Sequence, residues 1–252
     1  MGEQDRMPRP VRIGMLTPSS NTVLEPMTCA MLAGLPDVTA HFSRFKVTEI
    51  ALSDQALQQF DDSEILRAAE LLAHAKVDVI AWNGTSAAWL GFDRDDRLSE
   101  RIRSTTGIVA CTSMLAFRNI LERQGIRRIG LVTPYLEDVQ AKIVANCSAA
   151  GLHCTAERHL SLKDNFSFAT VEPAEIAAMV RAVAGEGCDA VAIVCTNMRG
   201  AAIAASLEAE LGVPVYDSVA VTLFQSLRTV GRDPRTVRGW GSLFSDFDAN
   251  NV

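Results

Sequence analysis

Four short stretches of the chain, four to six residues each, are apolar on both faces: Val11–Leu16, Val77–Trp82, Ile129–Val132 and Ala190–Val194. Runs of this kind read as strands covered on two sides, as in a parallel sheet. Between them the period changes. Over Ser63–Ala75 the apolar residues Ile65, Leu66, Ala69, Leu72 and Ala73 recur at three- and four-residue spacing, the signature of one helical face. Buried strands alternating with amphipathic helices predict an α/β fold with parallel sheets. The polar tail from Ser245 to Val252 is expected to fray.

The pattern also repeats. Arg12-Ile13-Gly14-Met15-Leu16-Thr17-Pro18 returns as Arg128-Ile129-Gly130-Leu131-Val132-Thr133-Pro134. Asp78-Val79-Ile80-Ala81-Trp82-Asn83-Gly84-Thr85-Ser86 returns as Asp189-Ala190-Val191-Ala192-Ile193-Val194-Cys195-Thr196-Asn197. A third block, Gly107 to Ser113, matches Gly212 to Ser218. Gly14 precedes Gly84 by 70 residues, and Gly130 precedes Cys195 by 65. Three blocks in one order imply two copies of an α/β unit related by approximate two-fold symmetry. The expected lobes are residues 1–112 with 217–252, and residues 113–216. Facing lobes bring the carboxyl ends of their strands to a shared cleft, where open α/β sheets bind ligands. Pro18–Asn21, Gly84–Ser86, Pro134–Tyr135 and Cys195–Asn197 are the segments predicted to line it.

Composition narrows the chemistry. The 252 residues are 48% hydrophobic and 21% charged, with a net charge of -6 and no basic block, which argues against a nucleic-acid partner. No run approaches the roughly 20 apolar residues of a membrane helix, and Met1–Pro10 lacks a signal-peptide core. A cytoplasmic protein with no membrane partner is expected. The six cysteines form no CxxC pair and only four histidines are present, a poor set for structural zinc. Gly14 stands without the rest of a GxGxxG fingerprint, so no dinucleotide is expected.

The loops after the strands are rich in small polar side chains, notably Thr17 to Thr22 and Asn83 to Ser86. Such groups either cap the following helices or, with the free N–H donors there, bind an anion. Convergence of four such loops favours the anion, a small carboxylic acid. Cys195 ends a strand. If a helix begins there, its thiol pKa falls from about 8.5 and thiolate is available near neutral pH. Tyr135 enters the same cleft. Asn165 lies in a polar connection able to close over it. Asp78 and Asp189 sit at the remote strand ends and take structural roles. None of His41, His74, His153 and His159 has nucleophile–base spacing.

These motifs carry a family resemblance. The chain resembles the aspartate/glutamate racemase superfamily from Val11 to about Phe244, and most closely its maleate cis-trans isomerase and arylmalonate decarboxylase branch. Pro18-Ser19-Ser20-Asn21-Thr22 is similar to the substrate-carboxylate loop of the isomerases, which points to Asn21 as a ligand, with Pro18 and Ser19 of the same loop as further candidate substrate contacts. Cys195 matches the second superfamily cysteine, and Gly84 stands at the first. Gly84-Thr85-Ser86 looks like the dioxyanion loop of the decarboxylases, and Tyr135 and Asn165 sit where the family places polar contacts. The resemblance implies two pseudo-symmetric flavodoxin-like lobes with the active site between them, and neither metal nor organic cofactor.

With glycine at 84, two-thiol racemisation and nucleophilic addition by the first cysteine do not carry over unchanged. What remains is one-sided protonation by Cys195 of an enediolate left after carbon dioxide loss from a malonate-like diacid. In this scheme Gly84 opens space for a substituent. Thr196 and Asn197, where decarboxylases tend to have glycines, imply a more polar pocket. A maleate-type isomerase or one-sided tautomerase is the enzymatic alternative, and a carboxylate sensor the non-enzymatic one. The oligomeric state stays open, a homo-oligomer included.

Overall fold

The structure, a computed structural model, describes residues 9–245; the remainder of the polar tail lies outside the described residues. The first unit runs β1 (Val11–Pro18), α1 (Leu24–Leu32), β2 (Val38–Phe45), α2 (Asp54–Gln58), α3 (Asp62–His74), β3 (Val79–Trp82), α4 (Ala87–Leu90), α5 (Asp93–Thr106) and β4 (Ala110–Thr112). The second runs α6 (Ser113–Arg123), β5 (Arg128–Thr133), α7 (Glu137–Ala149), β6 (His153–His159), α8 (Pro173–Ala184), β7 (Ala190–Ile193), α9 (Ala201–Leu211) and β8 (Val215–Asp217). The chain ends with α10 (Ser218–Thr229) and α11 (Ser242–Ser245).

Each unit builds a four-stranded parallel sheet, ordered β2-β1-β3-β4 in one and β6-β5-β7-β8 in the other. The four apolar runs become the central strands β1, β3, β5 and β7. The internal repeat is repeated in the register. Gly14 pairs with Ile80, and its counterpart Gly130 with Val191. Ile80 then pairs with Ala110, and Val191 with Val215.

Matching residues do matching work. Asp78 accepts the backbone N–H of Arg12 at 2.8 Å, and Asp189 that of Arg128 at 3.0 Å, tying the strands together at the end remote from the cleft. Gly107 and Gly212 close α5 and α9 at φ 72° and 67°, left-handed backbone that favours glycine. Gly130 permits a close approach: a Cβ there would stand 2.8 Å from Val183 of α8.

After β8 the chain crosses back. Helix α10 packs against α6, α1, β3 and β4, and nine of its side chains are buried. Helices α6 and α10 follow equivalent strands, so their contact lies on the pseudo-two-fold. Ser113 of α6 donates to the Ser218 carbonyl there at 3.4 Å.

Candidate active site

The β1–α1 loop turns sharply after Pro18. Asn21 is buried, and its side chain is fully engaged. Its Oδ1 accepts from the N–H groups of Val23 and Leu24 at 3.0 and 2.9 Å, which caps the start of α1. Its Nδ2 donates across the cleft to the carbonyl and hydroxyl oxygens of Thr196 at 3.1 and 3.2 Å. Asn197 answers from the other lobe. Its Oδ1 accepts from Thr22 N–H at 2.9 Å, and its Nδ2 donates to the Asn165 carbonyl at 2.6 Å. The Thr196 hydroxyl donates to the Asn83 carbonyl at 3.1 Å.

Asn165 does lie across the cleft. Its connection pairs with the segment after β2 through a Glu49–Asp164 bridge, a 2.9 Å bond from Ile50 N–H to the Lys163 carbonyl and another from Asn165 N–H to the Thr48 carbonyl. Its Nδ2 donates to Ser20 Oγ at 2.7 Å, and Ser20 donates in turn to the Val47 carbonyl at 2.6 Å. Ser19 differs from the expectation. It is exposed, and its hydroxyl is taken by the backbone of Val47, so it lies outside the converging set. Ser20, one residue on, is the serine of this loop that meets Asn165.

Thr85 and Tyr135 meet across the lobes, hydroxyl to hydroxyl, at 2.7 Å. Ser86 is buried at the start of α4. Tyr135 is boxed by Trp89 and Phe168, with ring centroids at 5.3 and 5.5 Å. Burial pushes its phenol pKa well above the ordinary value, so the phenol is neutral. On the Cys195 side, the same hydroxyl favours the thiolate form of that residue.

Cys195 is 2% exposed. It stands two residues beyond β7, but α9 begins only at Ala201, so the expected helix start is absent. The lowered thiol pKa expected from such a start does not occur. Burial pushes Cys195 up to about 12, and the nearby Asp217 carboxyl adds to the rise. Hydrogen bonds from the N–H groups of Asn197 and Met198 and from Tyr135 offset part of it, the first at 3.4 Å from Sγ. The group is therefore a protonated thiol at neutral pH, with donors placed to receive the thiolate once the proton leaves.

The space over Gly84 also differs from expectation. It is filled by the Trp82 indole, whose Cζ2 would be 2.0 Å from a Cβ at position 84. Sequence reasoning gave no role of their own to three residues here: Ser20, Trp82 and Asp217. Asp217 caps α10 through Val219 and Ala220 N–H, and its other oxygen is buried without closing a full hydrogen bond, the Ala201 N–H at the start of α9 still favouring its charged form. Burial raises its pKa to about 7. The third repeat block contained Asp217, and its pairing with Thr112 was the available signal. Among the described residues no three His, Cys, Asp or Glu side chains gather to hold a metal ion.

Paired sheets of this order, with a buried thiol and neighbouring hydroxyl groups where they meet, define a two-lobed α/β enzyme architecture. A family model described as arylmalonate decarboxylase matches residues 13–244, and the chain belongs to that family. It is 29% identical over 246 residues to a maleate isomerase of Pseudomonas putida, covering 93% of this chain and 97% of that protein. It is 25% identical over 237 residues to the arylmalonate decarboxylase of Bordetella bronchiseptica, covering 93% and 96%. The crystal structure of the maleate isomerase of Pseudomonas putida S16 shares the fold at a TM-score of 0.86 and 24% identity, over 94% of this chain and 98% of that one.

Proposed function

We propose that the protein decarboxylates a small malonate-like dicarboxylic acid and that Cys195 supplies the proton that completes the reaction. The observation that carries this reading is the buried thiol of Cys195, held beside the Tyr135 hydroxyl and the Asn197 N–H, with glycine and not a second cysteine at the matching position 84 of the repeat. A nucleophile needs the thiolate, whereas a general acid needs the thiol.

In the proposed sequence the bond between the α-carbon and one carboxyl carbon breaks, and that carboxyl leaves as carbon dioxide. The electron pair passes into the remaining carboxylate as an enediolate. Thr85 and Tyr135 donate to its oxygens, once the hydrogen bond between them opens to admit the substrate. The S–H bond of Cys195 then breaks, and its proton goes to the α-carbon on the face that the sulfur presents. The thiolate left behind is held by the N–H groups of Asn197 and Met198 and regains a proton from water. Loss of a positioned acid costs roughly 10²- to 10⁴-fold in rate. Cys195→Ala is therefore expected to lose turnover by that order while still binding malonate in calorimetry. Wild-type rates in that variant exclude the reading.

A second reading, cis-trans isomerisation of a maleate-type diacid, is favoured by Thr196 and Asn197. They keep polar groups beside the thiol where a purely apolar wall would serve decarboxylation better. Proton NMR in deuterated water separates the two: carbon dioxide loss changes the carbon count, and isomerisation conserves it. A chain that binds diacids but neither consumes them nor exchanges their α-protons is a sensor.

A further inference from the structure

Position 84 is glycine, yet no room is left there. A Cβ built on Gly84 would stand 2.0, 2.4 and 2.6 Å from Cζ2, Cε2 and Cη2 of Trp82, distances that real Cβ atoms do not adopt. The indole is held on its flank by another ring. It is fully buried, and the Phe45 ring lies 5.1 Å away at 47°. Its N–H faces the buried Asp95 carboxyl of α5 without closing a full hydrogen bond.

The repeat explains the arrangement. Residues two apart on an extended segment project to the same side. In the second lobe the corresponding pair is Ile193 and Cys195, where a smaller side chain precedes a thiol. In the first lobe it is Trp82 and Gly84, and the larger side chain takes the volume of both.

We infer that Trp82 is the specificity-determining residue of the site. Its indole occupies the volume that Gly84 vacates, so the diacid carries a hydrogen or small alkyl group on that side, and an aryl substituent is excluded. This rests on the decarboxylase reading for the substrate's identity, but the packing it asserts does not. The same indole bars a second thiol: Gly84→Cys is not accommodated unless Trp82 is cut down.

The test uses wild type, Trp82→Leu, Gly84→Cys and the double variant. Carbon dioxide release from malonate, methylmalonate and phenylmalonate is measured, together with thermal midpoints. Wild type is expected to favour methylmalonate over phenylmalonate by about 100-fold in kcat/KM, the order that a steric misfit in a packed pocket imposes. Trp82→Leu is expected to narrow that ratio at least about tenfold. Gly84→Cys is expected to lower the midpoint strongly in wild type and far less in the Trp82→Leu background, since residues in contact are not additive. If wild type turns over phenylmalonate as fast as methylmalonate, the inference is overturned while decarboxylation stands. If wild type consumes none of the three, the decarboxylase reading fails and the midpoints decide the packing claim. A midpoint unchanged by Gly84→Cys in wild type overturns it, even if Trp82→Leu does not fold.

Discussion

At the scale of single residues, the sulfur of Cys195 and the carboxyl of Asp217 control each other. Burial dominates both, raising the thiol to about 12 and the carboxyl to about 7. Above neutral pH Asp217 is charged and opposes a second negative charge on the sulfur. Iodoacetamide should therefore react with Cys195 at a rate still climbing above pH 10, not one levelling off near 9. Asp217→Asn, which keeps a capping oxygen for α10, should move the curve to lower pH. A plateau near 9 in the wild type contradicts this picture of the site. Tyr135→Phe makes a complementary prediction. It removes the hydroxyl shared by Thr85 and Cys195, so kcat should fall on the order of 10²-fold, with a smaller change in KM. Cys195 was legible in the sequence because the repeat sets it against Gly84. Its protonation state was not, because burial and the distant start of α9 are tertiary facts. Trp82 was legible only as a core residue: an apolar side chain at the end of an apolar strand gives no hint that its ring lies over the glycine two positions on.

At the scale of elements, the site is a seam of loops, and Asn197 ties two of them to its own. It joins the β1–α1 loop to the connection carrying Asn165, using both ends of one amide. Asn197→Ala leaves the Thr22 N–H and the Asn165 carbonyl without partners. The Asn165 residue is buried and its stranded carbonyl costs about 1–3 kcal/mol, whereas Thr22 is exposed and its N–H can turn to water, so the urea midpoint should drop by an amount corresponding to about 1–3 kcal/mol with the slope unchanged. Ser19→Ala, at an exposed position beside the same loop, should cost less than about 1 kcal/mol. An equal loss in the two variants argues against Asn197 as the tie. Strand legibility followed burial. The central strands β1, β3, β5 and β7 were readable within two residues at each end, because both faces are covered. The edge strands β2 and β6 were not. They carry His41, Arg44, Glu157 and Arg158 on half-exposed faces, and neither a continuous apolar run nor clean alternation survives. Strands β4 and β8, three residues each, show only as the third repeat block.

At the scale of the whole molecule, the two lobes each bury a carboxyl group without an ion-pair partner, Asp95 in the first and Asp217 in the second. Burial raises each to about 7, against about 3.9 in an unfolded chain. Between those values the folded protein holds two protons that the unfolded chain has released, so stability must fall as pH rises. The contribution is complete below the unfolded pKa and is lost through pH 7, after which the curve flattens. Surface carboxylates such as Asp61, Asp189 and Asp233 are shifted down by hydrogen bonds and nearby arginines, so their opposing effect falls at lower pH and leaves this window alone. The free energy of unfolding between pH 5 and 7 should therefore slope downward by about 1 kcal/mol per pH unit for each buried acid. Asp95→Asn and Asp217→Asn should each remove about half of that slope, and the double variant nearly all of it. A wild-type curve that is flat or rising from pH 5 to 7 means that the two carboxyls are charged in the folded state. Asp95 would then set a negative charge facing the Trp82 N–H, and Asp217 one that opposes thiolate formation at Cys195 below neutral pH as well as above it, so the thiol would stay protonated while the stability profile lost its downward slope.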